Sequence, residues 1–259
     1  MPKSQKRYII ESVDKAFQVL MLVAKYPGTG VSELARNTAS SKTTIFRMLR
    51  TLEHHQMVRQ AKDGTYWLGN AMLVLSTAAS SQIDLVKFAS PILEELTLKV
   101  NETVQMRVRD KMEALCIAKF EPSRDLRVHA VVGRRRPLYA GSSKVLLAYM
   151  PAEDQDEIIA SKRPALTPRT ITDAGRLRLM LQRIKEQGYC ISRGEVSEQL
   201  VSVSVPVFAV DGSVVAAINI AAPAFRTQDT EIVRFTKLLA AAAGRISERL
   251  GWEPRTRIR

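Results

Sequence analysis

The 259-residue sequence is short of the residues that build covalent and metal frameworks, with two cysteines, Cys116 and Cys190, and three histidines, His54, His55 and His129. Two distant thiols make no C-x-x-C pair and no disulfide framework, and three histidines supply no spaced zinc set. No structural metal is expected and no cofactor is implied. An uncharged apolar run of about 18 residues, the length a membrane-spanning helix needs, is also missing. The opening MPKSQKRYIIESVDK lacks the apolar core of a signal peptide. A cytoplasmic protein with reduced thiols and no membrane partner is expected. Common enzyme signatures are absent too: no G-x-G-x-x-G, no P-loop, no H-E-x-x-H and no G-x-S-x-G. Cys190 has no histidine near it in sequence and reads as a buried inert thiol. His129, inside the alternating run RVHAVV, reads as a strand residue rather than a base. No residue is assigned a catalytic role.

What the sequence has in surplus is positive charge. Lys and Arg number 39 against 26 Asp and Glu, a net +13, so an anionic partner is the first expectation. The surplus is uneven. Residues 1–76 carry 11 Lys/Arg against 5 Asp/Glu, or +6, and the remaining 183 residues carry the other +7. Six positive charges of that larger part fall in two clusters, Arg134, Arg135, Arg136 and Arg255, Arg257, Arg259. The first 76 residues therefore read as a separate, more basic module.

Hydrophobic periodicity organises that module into three helices and a hairpin. The first helix is expected from a Ser12 cap, with Val13, Ala16, Phe17, Leu20 and Val23 at helical spacing, until Pro27-Gly28. Ser32 is expected to cap a second, ELARN, with Leu34 and Ala35 inward. A third starts at Ser41 and places Ile45, Met48, Leu49 and Leu52 on one face. Val58 to Leu68 then reads as two short strands turning at Asp63-Gly64. This is a winged helix-turn-helix pattern. The predicted organisation is a winged helix-turn-helix domain over 1–69, a linker helix over 70–83 and an α+β domain with an antiparallel sheet over 84–259.

In that larger part a helix is predicted near Leu85 to Val100, interrupted or capped at Ser90-Pro91. Strands are expected at Thr103–Val108, Ala114–Lys119 and Leu126–Val132, and a helix from Ser142 or Ser143 to Met150. A longer helix capped by Thr172 should end at Gly188. Two strands, about Val201–Val210 and Ser213–Ala221, should meet at Asp211-Gly212. Pro206, lacking an N–H, belongs at an edge or bulge. A last amphipathic helix runs from about Thr227 to Leu250.

The third helix carries the chemistry of the basic module. Its apolar face anchors it, so the opposite face displays Lys42, Thr43, Thr44, Arg47 and Arg50 as a unit about the width of a major groove. Ser41 at the N-cap leaves backbone N–H groups free for a phosphate. One such helix reads too few base pairs for a specific site, so a dimer on a palindromic double-stranded operator is expected, joined through residues 70–83.

The run SELARNTASSKTTIFRMLRTL with the following YWLG, preceded by SVDKAFQVL, resembles the DNA-binding domain of the isocitrate lyase regulator (IclR) family of bacterial transcription factors. The resemblance adds Phe46 as a stacking, thymine-methyl or wing-packing residue and Lys62 on the wing. VGRRRPLYAGSSKVLLA, ITD, QGYCISRGE and VPVFAVDGSVVAAINIAAP resemble the same family's C-terminal effector-binding domain, a GAF-like fold. Carried over, the family's pocket implies Gly141, Ser142, Ser192, Ser202, Asn219 and Ala221. Gly141, Ser142 and Ser143 at a helix start also suit a carboxylate on physical grounds.

This sequence departs from the family's usual acidic residue at Ser192, Gly at Gln199 and Ser at Asn219 and Ala221. The loop before Lys144 is one residue short. The effector is therefore expected only as a small organic acid, aromatic ones included, with Arg193 as a source of charge. The resemblance implies an effector-responsive regulator, not an enzyme, as a homodimer or dimer of dimers. Two alternatives stay open: a small-molecule-modifying enzyme fused to a DNA-binding domain, and an architectural DNA binder without effector.

Overall fold

The computed structural model describes residues 8–82 and 84–253. It forms two compact units, residues 1–83 and 84–259. The tail arginines Arg255, Arg257 and Arg259, and the predicted end of the linker helix at Ile83, lie outside the described residues.

The first unit contains α1 (Glu11–Lys25), α2 (Val31–Asn37), α3 (Lys42–His54), β1 (Val58–Gln60), β2 (Tyr66–Leu68) and α4 (Ala71–Gln82). Two predicted caps are corrected. Extended Ile10 precedes α1 and Gly30 precedes α2, so Ser12 and Ser32 sit inside the first helical turns. At α3 the Ser41 hydroxyl accepts from the Thr44 N–H at 3.1 Å, satisfying one of the orphan donors of a helix start. The core joins Val19, Leu20 and Val23 of α1, Leu34 of α2, Ile45 and Leu49 of α3, and Val58 and Tyr66 of the hairpin. Burying each large apolar side chain contributes about 1.5–3 kcal/mol, so the exposed face of α3 rests on an anchored helix. β1 and β2 pair antiparallel, with Asp63 accepting from the Thr65 N–H at 3.0 Å and the Thr65 hydroxyl at 2.7 Å to close the turn. Gly69 follows β2 because the Gln56 carbonyl oxygen passes 2.1 Å from where a Cβ would stand.

The second unit is a six-stranded antiparallel sheet between helical layers. Its elements are α5 (Asp84–Val100), β3 (Thr103–Asp110), β4 (Glu113–Phe120), β5 (Arg135–Pro137), α6 (Lys144–Ala148), α7 (Ala152–Ala160), α8 (Ala174–Gln187), β6 (Cys190–Arg193), β7 (Leu200–Phe208), β8 (Val214–Pro223) and α9 (Asp229–Arg249). Strand order is β5-β4-β3-β8-β7-β6. Side chains alternate across the sheet. Val104 and Met106, Val201 to Val207 and Ala216 to Ala222 send every second residue into the core under α5 and α9. Leu147, Leu177, Leu181 and Ile184 pack on the other side with Cys190 and Ala217.

Three expectations are corrected here. Helix α5 runs unbroken through Pro91. The Ser90 hydroxyl donates to the Val86 carbonyl at 2.8 Å, inside the helix that Ser90-Pro91 was expected to interrupt. Asp173, not Thr172, caps α8, accepting from the Arg176 N–H at 2.7 Å. Leu126–Val132 is not a strand, and the edge place beside β4 belongs to β5. The Thr103 hydroxyl holds the Val128 carbonyl at 2.7 Å, tying that segment to β3. Helix α7 was not foreseen. Pro206 lies past Ser204, where pairing with β6 ends, so its missing N–H falls on a stretch of β7 flanked only by β8. No described helix is long and apolar enough to cross a membrane.

Candidate nucleic-acid interface and ligand cavity

On α3, Ile45 and Leu49 are fully buried with Met48 and Leu52 packed beside them. Thr43, Arg47, Arg50 and His54 recur at positions that centre on the opposite face, and all four are exposed. Lys42 and Phe46 flank them, and Phe46, 48% exposed, stands outside the core rather than packing into it. Thr44 is half-buried with its hydroxyl 2.8 Å from that of Ser41. Arg50 is held by Glu53 at 2.6 Å, an exposed pair that a phosphate or base edge can displace at little cost. Lys62 projects from the turn between β1 and β2. Across the same hairpin the Arg59 guanidinium lies 5.5 Å from the ring centre of Trp67. The sequence reading passed over His54, which the same helical spacing would have identified.

In the second unit part of the sheet face opposite α5 and α9 is polar. It presents Gln105 and Arg107 from β3, Ser202 from β7, and Asn219 and Ala221 from β8 around a cavity of about 50 Å³. Ser142 and Ser143 close one side and Val196 and Leu200 another. Residues 128–131 lie across it, and Arg134 and Arg136 complete the wall. Arg107 is 8% exposed and its Nη2 donates to Gln105 Oε1 at 2.7 Å, while Nη1 has no partner. Asn219 Oδ1 is likewise buried without a partner. Burial lowers the proton affinity of the Arg107 guanidinium, and Arg136 and Arg134 push it the same way.

Five of the residues anticipated for the pocket therefore line one cavity: Ser142, Ser143, Ser202, Asn219 and Ala221. Gly141 and Ser192 do not. The Gly141 N–H, expected to be free, donates to Glu195 Oε2 at 3.2 Å. The other Glu195 oxygen accepts from fully buried Lys144, whose ion pair pins the loop to the helix start. Gly141 has φ +69 and would meet Val196 Cγ2 at 2.6 Å if it bore a Cβ, so its role is to let the two segments close. Gly141 opens a single 3-10 turn, and the five residues of α6 follow, in place of the helix expected from Ser142 or Ser143 to Met150. Arg193 points away and pairs with Asp229. His129, expected within a strand, is an exposed residue of the segment lying over the cavity. The sequence reading placed none of Gln105, Arg107 and Val196 at the site. For the first two the polar alternation in TVQMRVRD was the available signal.

A three-helix module with a hairpin wing and an exposed basic helix, in one chain with an α+β domain, is the architecture of a bacterial DNA-binding transcriptional regulator. The chain belongs to the IclR family. The family model described as IclR helix-turn-helix domain matches residues 12–62, and that described as Bacterial transcriptional regulator IclR C-terminal matches residues 77–248. The HTH-type transcriptional regulator KipR of Bacillus subtilis is 30% identical over 244 residues, covering 93% of this chain and 98% of KipR. The HTH-type transcriptional repressor AllR of Klebsiella pneumoniae is 31% identical over 257 residues, covering 98% and 94%. The crystal structure of an IclR transcriptional regulator from Alicyclobacillus acidocaldarius superposes with a TM-score of 0.86 at 27% identity, over 94% of this chain and all of that one.

Proposed function

We propose that the protein is an effector-responsive regulator in which residues 1–69 bind a palindromic operator, 70–83 link and dimerise, and 84–259 bind a small organic acid. On DNA, Thr43, Arg47 and Arg50 face the major groove with Lys42 and Phe46 beside them. Ser41 and Thr44 present the helix start to a phosphate, and Lys62 follows the backbone from the wing. Homodimerisation, or a dimer of dimers, is supported by unpartnered apolar residues in the first unit: Val13, Phe17 and Met21 of α1 at helical spacing, and Leu73, Val74 and Leu75 of α4, all exposed. The protein works in the cytoplasm, where the DNA is.

The observation that carries the effector reading is the cavity itself, walled by polar side chains with two buried groups lacking partners. Its size favours an aliphatic acid over an aromatic one, since a dry cavity holding a benzene ring measures about 150 Å³. Ser142, Ser143, Ser202, Asn219 and Ala221 are the proposed effector contacts. Binding rather than turnover is favoured at Cys190, whose fully buried thiol is pushed up to about 11 and stays protonated. The test begins with duplexes selected by the protein from a random pool and a panel of carboxylic acids screened by thermal shift. An acid that raises the melting temperature should change duplex affinity, and the duplex should change acid affinity by the same factor. Acid binding with no effect on DNA affinity would sink the regulatory reading.

A further inference from the structure

The cavity floor holds a guanidinium with an unused donor. Arg107 Nη1 is buried and unpartnered, and arginine does not shed its proton to relieve the defect. Two more guanidiniums line the same space, half-buried Arg136 and exposed Arg134. Among the described residues neither these two nor Arg107 has a carboxylate within ion-pair distance. Arg135, between them, pairs with Asp110 and stands 3.9 Å from Glu113. One short strand thus separates a neutralised surface arginine from two cavity arginines left without counter-charge. Exposure rises from Arg107 through Arg136 to Arg134; besides the loss of water, Arg107 feels the repulsion of Arg136 and Arg134, and Arg136 that of Arg134. A single negative charge would offset one of three.

We propose that this cavity takes a compact acid with two anionic groups, a dicarboxylate or a phosphorylated carboxylate, with one anionic group on Arg107 Nη1 and the second toward Arg136 and Arg134. The inference rests on the reading of this cavity as the effector site and adds the charge class of the occupant. At about 10–15 Å³ per water centre, 50 Å³ is room for roughly three to five waters, the bulk of an acid of about three carbons. Guanidinium forks suit both carboxylate and phosphate, so the probes must separate the two.

Full-length protein is titrated by calorimetry with glycolate, hydroxymalonate and 2-phosphoglycolate at one ionic strength. At least one of the two multiply charged probes should bind about tenfold or more tightly than glycolate, and which one identifies the anionic group. Arg107→Met should reduce that preference to about twofold or less. Equal affinity for glycolate, no binding by any probe, or a preference surviving Arg107→Met overturns the inference. Ser202→Leu fills the cavity without touching its charge. Binding that persists in Ser202→Leu overturns the effector site itself, whereas binding lost there but equal for all three probes leaves the site standing and removes only the second anionic group.

Discussion

Two parts of this molecule gather positive charge, and they do so in opposite ways. On α3 the cations stand in water on a helix whose other face is buried, and Arg50 is balanced by Glu53. In the cavity Arg107 is buried on a sheet, hydrogen-bonded to a neutral amide and balanced by nothing. The first arrangement costs the fold little and suits a long polyanion approached from solvent, where many weak contacts add. The second is held at the expense of stability and suits a small anion that replaces lost water with direct hydrogen bonds.

The largest expected effect tests whether the exposed site depends on the core beneath it. Leu49→Ala should destabilise the first unit by about 2–5 kcal/mol. Duplex binding would be lost in a gel shift, while acid binding by the second unit persists in calorimetry. Arg47→Ala should leave the melting temperature unchanged and cost about 1–3 kcal/mol of duplex affinity, roughly tenfold or more. The opposite pattern is expected of Arg107→Met. Removing a buried uncompensated charge should stabilise the unliganded protein by about 1 kcal/mol, even with Gln105 left unpaired, and raise its melting temperature by about 2–4 °C. Duplex affinity without effector should be unaffected.

The smallest effect concerns an exposed acidic residue of the second unit. Lys99 and Arg245 each donate to Glu95 at 2.7 Å and hold its carboxyl at about 2, below the ordinary 4.5. Because the folded value is the lower one, the contribution is complete above pH 4.5 and lost as pH falls through about 2. Glu95→Gln should therefore lower stability slightly at pH 7, where the contribution is complete, and flatten acid denaturation in that window.

The same contrast explains what the sequence made legible. A helix displays its two faces at fixed intervals, so Ile45, Leu49, Arg47 and Arg50 could be sorted from spacing alone. Asn219 and Ala221 came from the family resemblance, and their spacing only agrees with one face of a strand. For Arg107 the alternation in TVQMRVRD gives only the shared face with Gln105; that β5, β7, β8 and the segment 128–131 converge on that face is reported by no local period. Leu126–Val132 has a strand's alternation but no place at the sheet, since Gly133 (φ +86) redirects the chain and β5 occupies the edge. Gly141 was singled out for a ligand when its backbone was needed by Glu195. A capping or anion-binding N–H can be counted as free only once the partners of every nearby carboxylate are known.

On the proposed reading the exposed basic face of α3, and not the cavity arginines, meets DNA. The direct measurement is fluorescence anisotropy of a selected palindromic duplex between about 50 and 200 mM salt, where six to ten phosphate contacts should lower affinity by about 10³–10⁵. For the paired Lys42→Ala, Lys62→Ala variant the log–log slope should be shallower by about two, while Arg107→Met should keep the full slope. A flat salt dependence, or a slope lost in Arg107→Met and retained without Lys42 and Lys62, would contradict it.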